Sequence, residues 1–153
     1  MNLSSHFTLE ELVASEIAAR LAIDNLPTDS MIEHMRTYLV PGLENLRNLL
    51  GGPIHIASGY RSPELNAAVP GSASTSQHVK GEAADILVPS FGGPYAVCRK
   101  VITSGLAFDQ VIFEYGDTGW CHISFAAAMR RSVLSKFHTS PYLAGLHVDP
   151  NAA

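Results

Sequence analysis

Charge is scarce in this chain of 153 residues: only 16% are charged, ten Lys plus Arg against fourteen Asp plus Glu, for a net charge of −4. The basic residues are scattered, and without a basic stripe nothing displaces the counterions of a phosphate backbone, so nucleic acid is not expected as a partner. Cysteine is nearly absent. Cys98 and Cys121 fall in a helix-like and a strand-like stretch, neither within a C-x-x-C pair, which predicts buried free thiols and no disulfide. No stretch approaches the roughly 20 apolar residues of a membrane span. The opening "MNLSSHFTLEELVASEIAARL" carries early acidic residues and lacks a basic region followed by an apolar one, unlike a Sec signal peptide. Synthesis as a soluble cytoplasmic protein is therefore expected, with another route out if the protein acts beyond the membrane. Internal repeats and low-complexity segments are lacking too.

What is present is core-forming material. Some 46% of residues are hydrophobic, the range of a packed globular protein, and the length fits a single domain, 1–153, expected to be monomeric. From Phe7 to Leu21 the sequence opens with a Thr8-x-x-Glu11 capping box, places Phe7 and Leu12 for a hydrophobic staple, and repeats apolar residues at Leu9, Leu12, Val13, Ile17 and Leu21. That pattern predicts one amphipathic helix. After the turn "PTDS", Ser30 with Glu33 opens a second helix, broken or kinked at Pro41 and stopped by Gly51-Gly52. "PIHIAS" alternates as a strand. Gly59 to Gln77 is too rich in Pro, Gly, Ser and Asn for regular structure, apart from a helical turn opening at Ser62-Pro63. A loop this long in a compact domain is usually functional. "AADILVP" predicts a buried strand, and Pro94 starts a helix over "PYAVCRKVITSGL". "FDQVIFEY" and "GWCHISF", joined through "GDTG", form a hairpin signal, and beyond Ala126 the patterning weakens. Helices first and a sheet ending in an antiparallel pair predict an α+β fold.

Chemistry concentrates in "SQHVKGEAADILVP". His78 and Asp85 lie seven apart with Gly81 between them to permit a sharp turn, so an imidazole at a loop end and a carboxylate on the next strand can converge. His122 lies on the later strand "GWCHISF", where alternation puts Trp120, His122 and Ser124 on one side. Two imidazoles and one carboxylate make a common open zinc site, its remaining position holding water of pKa about 7. His6, His34, His55, His138 and His147 have no second ligand at suggestive spacing and are left aside.

"SGYRSPELN", then Ser76, His78, Gly81, Ala83 and Asp85 in the pattern S-x-H-x-x-G-x-A-x-D, then W-x-H at Trp120 and His122, together resemble the zinc D-alanyl-D-alanine carboxypeptidase family of metallopeptidases, its phage and prophage members in particular. The N-terminal "FTLEELVAS" is also similar to that group. The resemblance implies a small hedgehog/D,D-peptidase fold, with N-terminal helices packed on a mainly antiparallel sheet. It also implies one Zn2+ held by His78, Asp85 and His122. The chain then divides into a helical part to about residue 52, a metal-site part to about residue 125 and a tail. Arg61 matches the family's arginine associated with the substrate carboxylate, chemistry that suits a guanidinium fork. Ser76 either binds substrate or shapes the ligand loop, while Ser62 and Asn66 fix the loop through backbone bonds.

One position departs from the family pattern. Many members carry an acidic residue three positions before the last histidine ligand, and here that position is Gly119. A hairpin centred near Thr118 sets Glu114 directly across from His122, making Glu114 the first candidate for the general base. Asp117 is the alternative, and Asp109, with a capping role as its rival reading, comes third. Trp120 either walls the substrate groove or packs in the core, and Tyr60 and Tyr115 flank the site. The implied activity is zinc-dependent hydrolysis of peptidoglycan stem or cross-link peptides at a bond involving D-amino acids, by a D,D-carboxypeptidase or an endolysin-like endopeptidase acting on the cell wall after release or on a virion. A dipeptidase would need a short closed pocket. Gly119 keeps open a third reading, a catalytically silent zinc-containing cell-wall-binding or phage structural module.

Overall fold

A computed structural model describes residues 1–151. The α+β order expected from the sequence is the order observed: four helices, then strands with two further helices between them. Helix α1 spans Leu9–Val13 and α2 Glu16–Leu21, so the single helix expected over Phe7 to Leu21 is two. The break follows from Ser15, whose hydroxyl accepts from the Ala18 N–H at 3.1 Å and starts a new helix while Ala14 is extended. The Thr8 cap and the staple form as expected, with Phe7 and Leu12 both fully buried.

Helix α3 covers Asp29–Thr37, capped by Thr28, two residues before Ser30. Helix α4 runs from Leu39 to Leu50 and ends on left-handed Gly51. The break falls at Tyr38, three residues before Pro41. Pro41 is thus in the first turn of α4, where its missing N–H costs no helical bond, and its ring excludes a helical carbonyl four residues back, at Thr37.

The sheet has six strands: β1 His55–Ser58, β2 Ala83–Leu87, β3 Gln110–Glu114, β4 Trp120–Ser124, β5 Ser132–Lys136 and β6 Tyr142–Ala144. Their spatial order is β1-β2-β4-β3-β5-β6, antiparallel throughout except for the parallel pair β3 and β5. The last two strands lie in the tail where the pattern was weak: they are short, half-buried and polar at several positions, which blurs the period-2 signal. Helix α5, Pro63–Ala68, is the turn expected at Ser62-Pro63, and α6 spans Pro94–Thr103.

Alternation divides the sheet into two faces. Ala84, Ile86, Val111, Phe113, Cys121 and Ile123 are buried on the side where α6 packs against β3 and β4 and α4 packs against α6. Gly42 of α4 lets the Phe125 ring reach the helix backbone, since a Cβ there would lie 2.2 Å from the ring. Cys98 and Cys121 are both free and buried in this layer, as expected. The opposite face is open. Ser58, Asp85, Ile112, Glu114, Trp120, His122 and Leu134 floor a cleft of about 1340 Å³ there. Among the described residues no helix is long and apolar enough to cross a membrane.

Candidate metal centre

Three segments bring the expected ligands together. Asp85 and His122 are direct cross-strand partners on β2 and β4, so their side chains leave the same face. His78 arrives from the loop before β2, where the chain reverses through Gly81 at φ +69°. The left-handed conformation favours glycine, and a Cβ on Gly81 would also press on the Met31 side chain, 2.7 Å from its sulfur. All three side chains are buried, and one ligand atom from each lies within 4.8 Å of the others.

The hydrogen bonding fixes which atoms face inward. His78 Nδ1 donates to the Gly59 carbonyl at 2.7 Å, which turns Nε2 toward Asp85 Oδ1, 3.3 Å away. His122 Nδ1 is 3.0 Å from the same oxygen. Two ring nitrogens and a carboxylate oxygen converging at 3.0 and 3.3 Å present the donor atoms that a shared cation needs. The outward bond to a backbone carbonyl is the usual orienting partner of a metal-bound histidine. The donor set therefore fits a divalent metal of the nitrogen- and oxygen-liking kind. Burial pushes the Asp85 pKa up, but the charges and hydrogen bonds of His78 and His122 outweigh it and hold the carboxyl well below the usual range.

Arg61 grips the other Asp85 oxygen, Oδ2, at 3.3 Å, while its Nε reaches Ser58 at 3.1 Å and its Nη1 reaches Asn66 at 3.3 Å. Three of its N–H groups are thus engaged and the rest are free, in a side chain that lines the cleft. Ser62 caps α5 and Asn66 binds the Ala73 carbonyl at 2.8 Å, so both hold the loop. Ser76 accepts from the His78 N–H at 3.2 Å while lining the cleft. The ligand loop is therefore shaped by Ser76 directly.

The hairpin register corrects one expectation. Glu114 pairs with Trp120 and Ile112 with His122, so the turn is centred at Asp117 and Glu114 is diagonal to His122, not opposite. The difference is two residues in the pairing, which preserves the face, and Glu114 Oε1 lies 3.7 Å from His122 Nδ1. Desolvation pushes its carboxyl up to about 7, with Asp85 adding to the rise and His122 and Arg61 opposing it. The Trp120 indole N–H lies near enough to favour the charged form, yet it is buried and meets no partner in hydrogen-bond geometry. Lys136, beside Glu114 in the parallel register, turns its ammonium to the Phe137 and Ser140 carbonyls instead.

The other acidic candidates are engaged elsewhere. Asp117 Oδ1 accepts from the Tyr95 N–H at 3.0 Å and caps α6, whose own cap position is Gly93. Gly119 has no room for a side chain, because a Cβ would meet the Glu114 carbonyl oxygen at 1.8 Å. This tight turn excludes an acid at position 119 and leaves Glu114, on the neighbouring strand, as the carboxylate beside His122.

Asp109 is the centre of a network that the sequence did not announce. Arg130 binds it through Nε at 2.9 Å and Nη2 at 2.7 Å, and Gln77, adjacent to His78, donates to it at 2.8 Å. Its partner Arg130 lies 21 residues away in the weakly patterned tail, so no local signal pointed to the pair. These bonds, those of Arg130 foremost, hold the Asp109 pKa down to about 2. A depressed carboxyl stabilises the fold above its unfolded value, and that contribution is lost as pH falls from about 4 through about 2. Asp109→Asn is expected to lower stability at pH 7 by about 2 kcal/mol and to flatten the acid limb of a denaturation profile. An unchanged acid limb would show that the network carries no stability.

An α+β domain whose open sheet face holds a buried His-Asp-His group beside a desolvated carboxylate has the architecture of a metal-dependent hydrolase. The chain belongs to the peptidase M15 family: the family model described as Peptidase M15 matches residues 5–124. This is the metallopeptidase family that the motifs resembled, and the match spans His78, Asp85, His122, Arg61 and Glu114. No curated protein matches the chain.

Proposed function

We propose that the protein is a zinc-dependent peptidase that hydrolyses peptidoglycan stem or cross-link peptides at a bond involving a D-amino acid, with His78, Asp85 and His122 as the zinc ligands. The observation that carries this reading is the Glu114 carboxylate, desolvated, without a hydrogen bond and 3.7 Å from a ligand histidine. Zinc held by such a set supplies a Lewis acid and a water acidified to a pKa of about 7. Glu114 takes the proton of the attacking water and delivers it to the leaving amine, the work of a general base followed by a general acid. Arg61 offers its remaining N–H groups to a substrate carboxylate. Ser76 and Trp120 border the cleft and contact the peptide.

The cleft, about 1340 Å³, exceeds the upper range of small-ligand pockets, roughly 1000 Å³, which favours an oligopeptide over a free dipeptide. Endopeptidase action on the cell wall, after release from the cell or from a virion, is the corresponding biological reading. Digestion of purified peptidoglycan and defined muropeptides, with fragments identified by mass spectrometry, tests it. Peptide fragments that vanish on chelation and return with zinc are expected. Stoichiometric zinc without any fragment would instead leave a silent binding module.

A further inference from the structure

We propose that Tyr115 is a substrate-contact residue whose ring forms a rigid side wall of the cleft next to Glu114, against which the backbone and methyl-sized side chains of a stem peptide pack. The inference rests on the peptidase reading above and adds a residue to it.

Strand β3 alternates: Glu114 and Ile112 face the cleft, and Val111 and Phe113 are buried in the core. Continued alternation would send Tyr115 to the core side. Instead Tyr115 adopts φ +63°, ψ +31°, a left-handed conformation that is an outlier for a bulky residue, and it lines the cleft beside Glu114. Two consecutive side chains thus reach one face. A strained backbone beside reactive groups points to function when the surroundings enforce it. Here they do. The Tyr115 N–H bonds the Lys136 carbonyl at 2.7 Å. The ring stacks on His138 at 4.7 Å and 26°, and meets Trp120 edge-on at 5.2 Å and 66°.

The ring is therefore braced on two sides and half-exposed. A fixed aromatic surface offers contact area at little entropic loss. The buried indole N–H of Trp120 lies in the same wall, beside Glu114, so the indole braces the Tyr115 ring from behind. Burial, aided by the charges of Glu114 and Asp85, raises the phenol pKa and keeps the hydroxyl neutral.

Three zinc-loaded proteins test the proposal: wild type, Tyr115→Phe and Tyr115→Gly. Glycine suits the left-handed backbone and removes only the ring. The probe is a stem pentapeptide ending in D-Ala-D-Ala, followed both by hydrolysis and by the emission of Trp120, the sole tryptophan. The peptide should change Trp120 emission in wild type. Tyr115→Gly should raise KM and the fluorescence Kd roughly tenfold, with kcat and zinc content near wild type, and Tyr115→Phe should match wild type. An unchanged KM and Kd in Tyr115→Gly, loss of zinc or folding in that variant, or wild-type emission insensitive to bound peptide would each overturn the proposal. If wild type binds the peptide without cleaving it, the peptidase reading fails while the fluorescence Kd still decides the role of Tyr115.

Discussion

Replacement of Glu114 by glutamine is expected to lower kcat by roughly 10²- to 10⁴-fold, the usual contribution of a positioned general base. Glutamine keeps the size and the neighbours of the side chain but cannot accept a proton. KM and zinc content should stay close to wild type, because Glu114 lies 3.7 Å from His122 without being one of the three clustered ligands. Steady-state kinetics on a muropeptide, with metal analysis of the same sample, separates the possibilities. A variant that retains full kcat would remove Glu114 from the chemistry. The other acids offer no easy substitute: Asp117 caps α6 at 3.0 Å and Asp109 is occupied by Arg130 and Gln77.

His78→Ala and Asp85→Asn are expected to abolish both zinc binding and hydrolysis. Changing a residue that only orients a ligand costs 10- to 100-fold in metal affinity, so loss of a ligand itself should exceed about 100-fold. Asp85 is the more severe case. It faces His78, His122 and Arg61 at 3.0 to 3.3 Å, and an amide there leaves that cationic and donor cluster without its counter-charge. Zinc at 100 times its Kd should stabilise wild type by about 2.7 kcal/mol through mass action, and neither variant should gain. Calorimetric Tm with and without zinc measures this directly. A zinc-dependent rise in Tm in Asp85→Asn would place the metal elsewhere.

Local signals announced most of the frame. The Thr8 cap and the Phe7–Leu12 staple, the alternation in β2, and the β3–β4 hairpin are all written in neighbouring residues and were legible there. The break at Ala14 was not expected, because Ser15 competes as a cap inside an unbroken apolar pattern, and the break expected at Pro41 falls at Tyr38 because the proline ring acts four residues upstream. Strands β5 and β6 were not legible. Strand β5 gains its place by pairing in parallel with β3, a contact between distant segments that leaves little mark on its own composition.

The sequence by itself determined the donor chemistry: two imidazoles, one carboxylate, a loop arginine and a glycine turn, in an order that specifies the family. It named Glu114 as the candidate base on an assumed hairpin register, whose face survives a shift of two residues and would be lost by a shift of one. Only the tertiary structure decided the rest. The register placed Glu114 diagonal to His122 and closed position 119 to any side chain. The packing of β5 against β3 brought His138 behind Tyr115, and Arg130 onto Asp109. The physical reason is the same in each case. Side-chain type and alternation are local properties, whereas burial, charge pairing and steric exclusion depend on which distant backbone lies within a few ångströms.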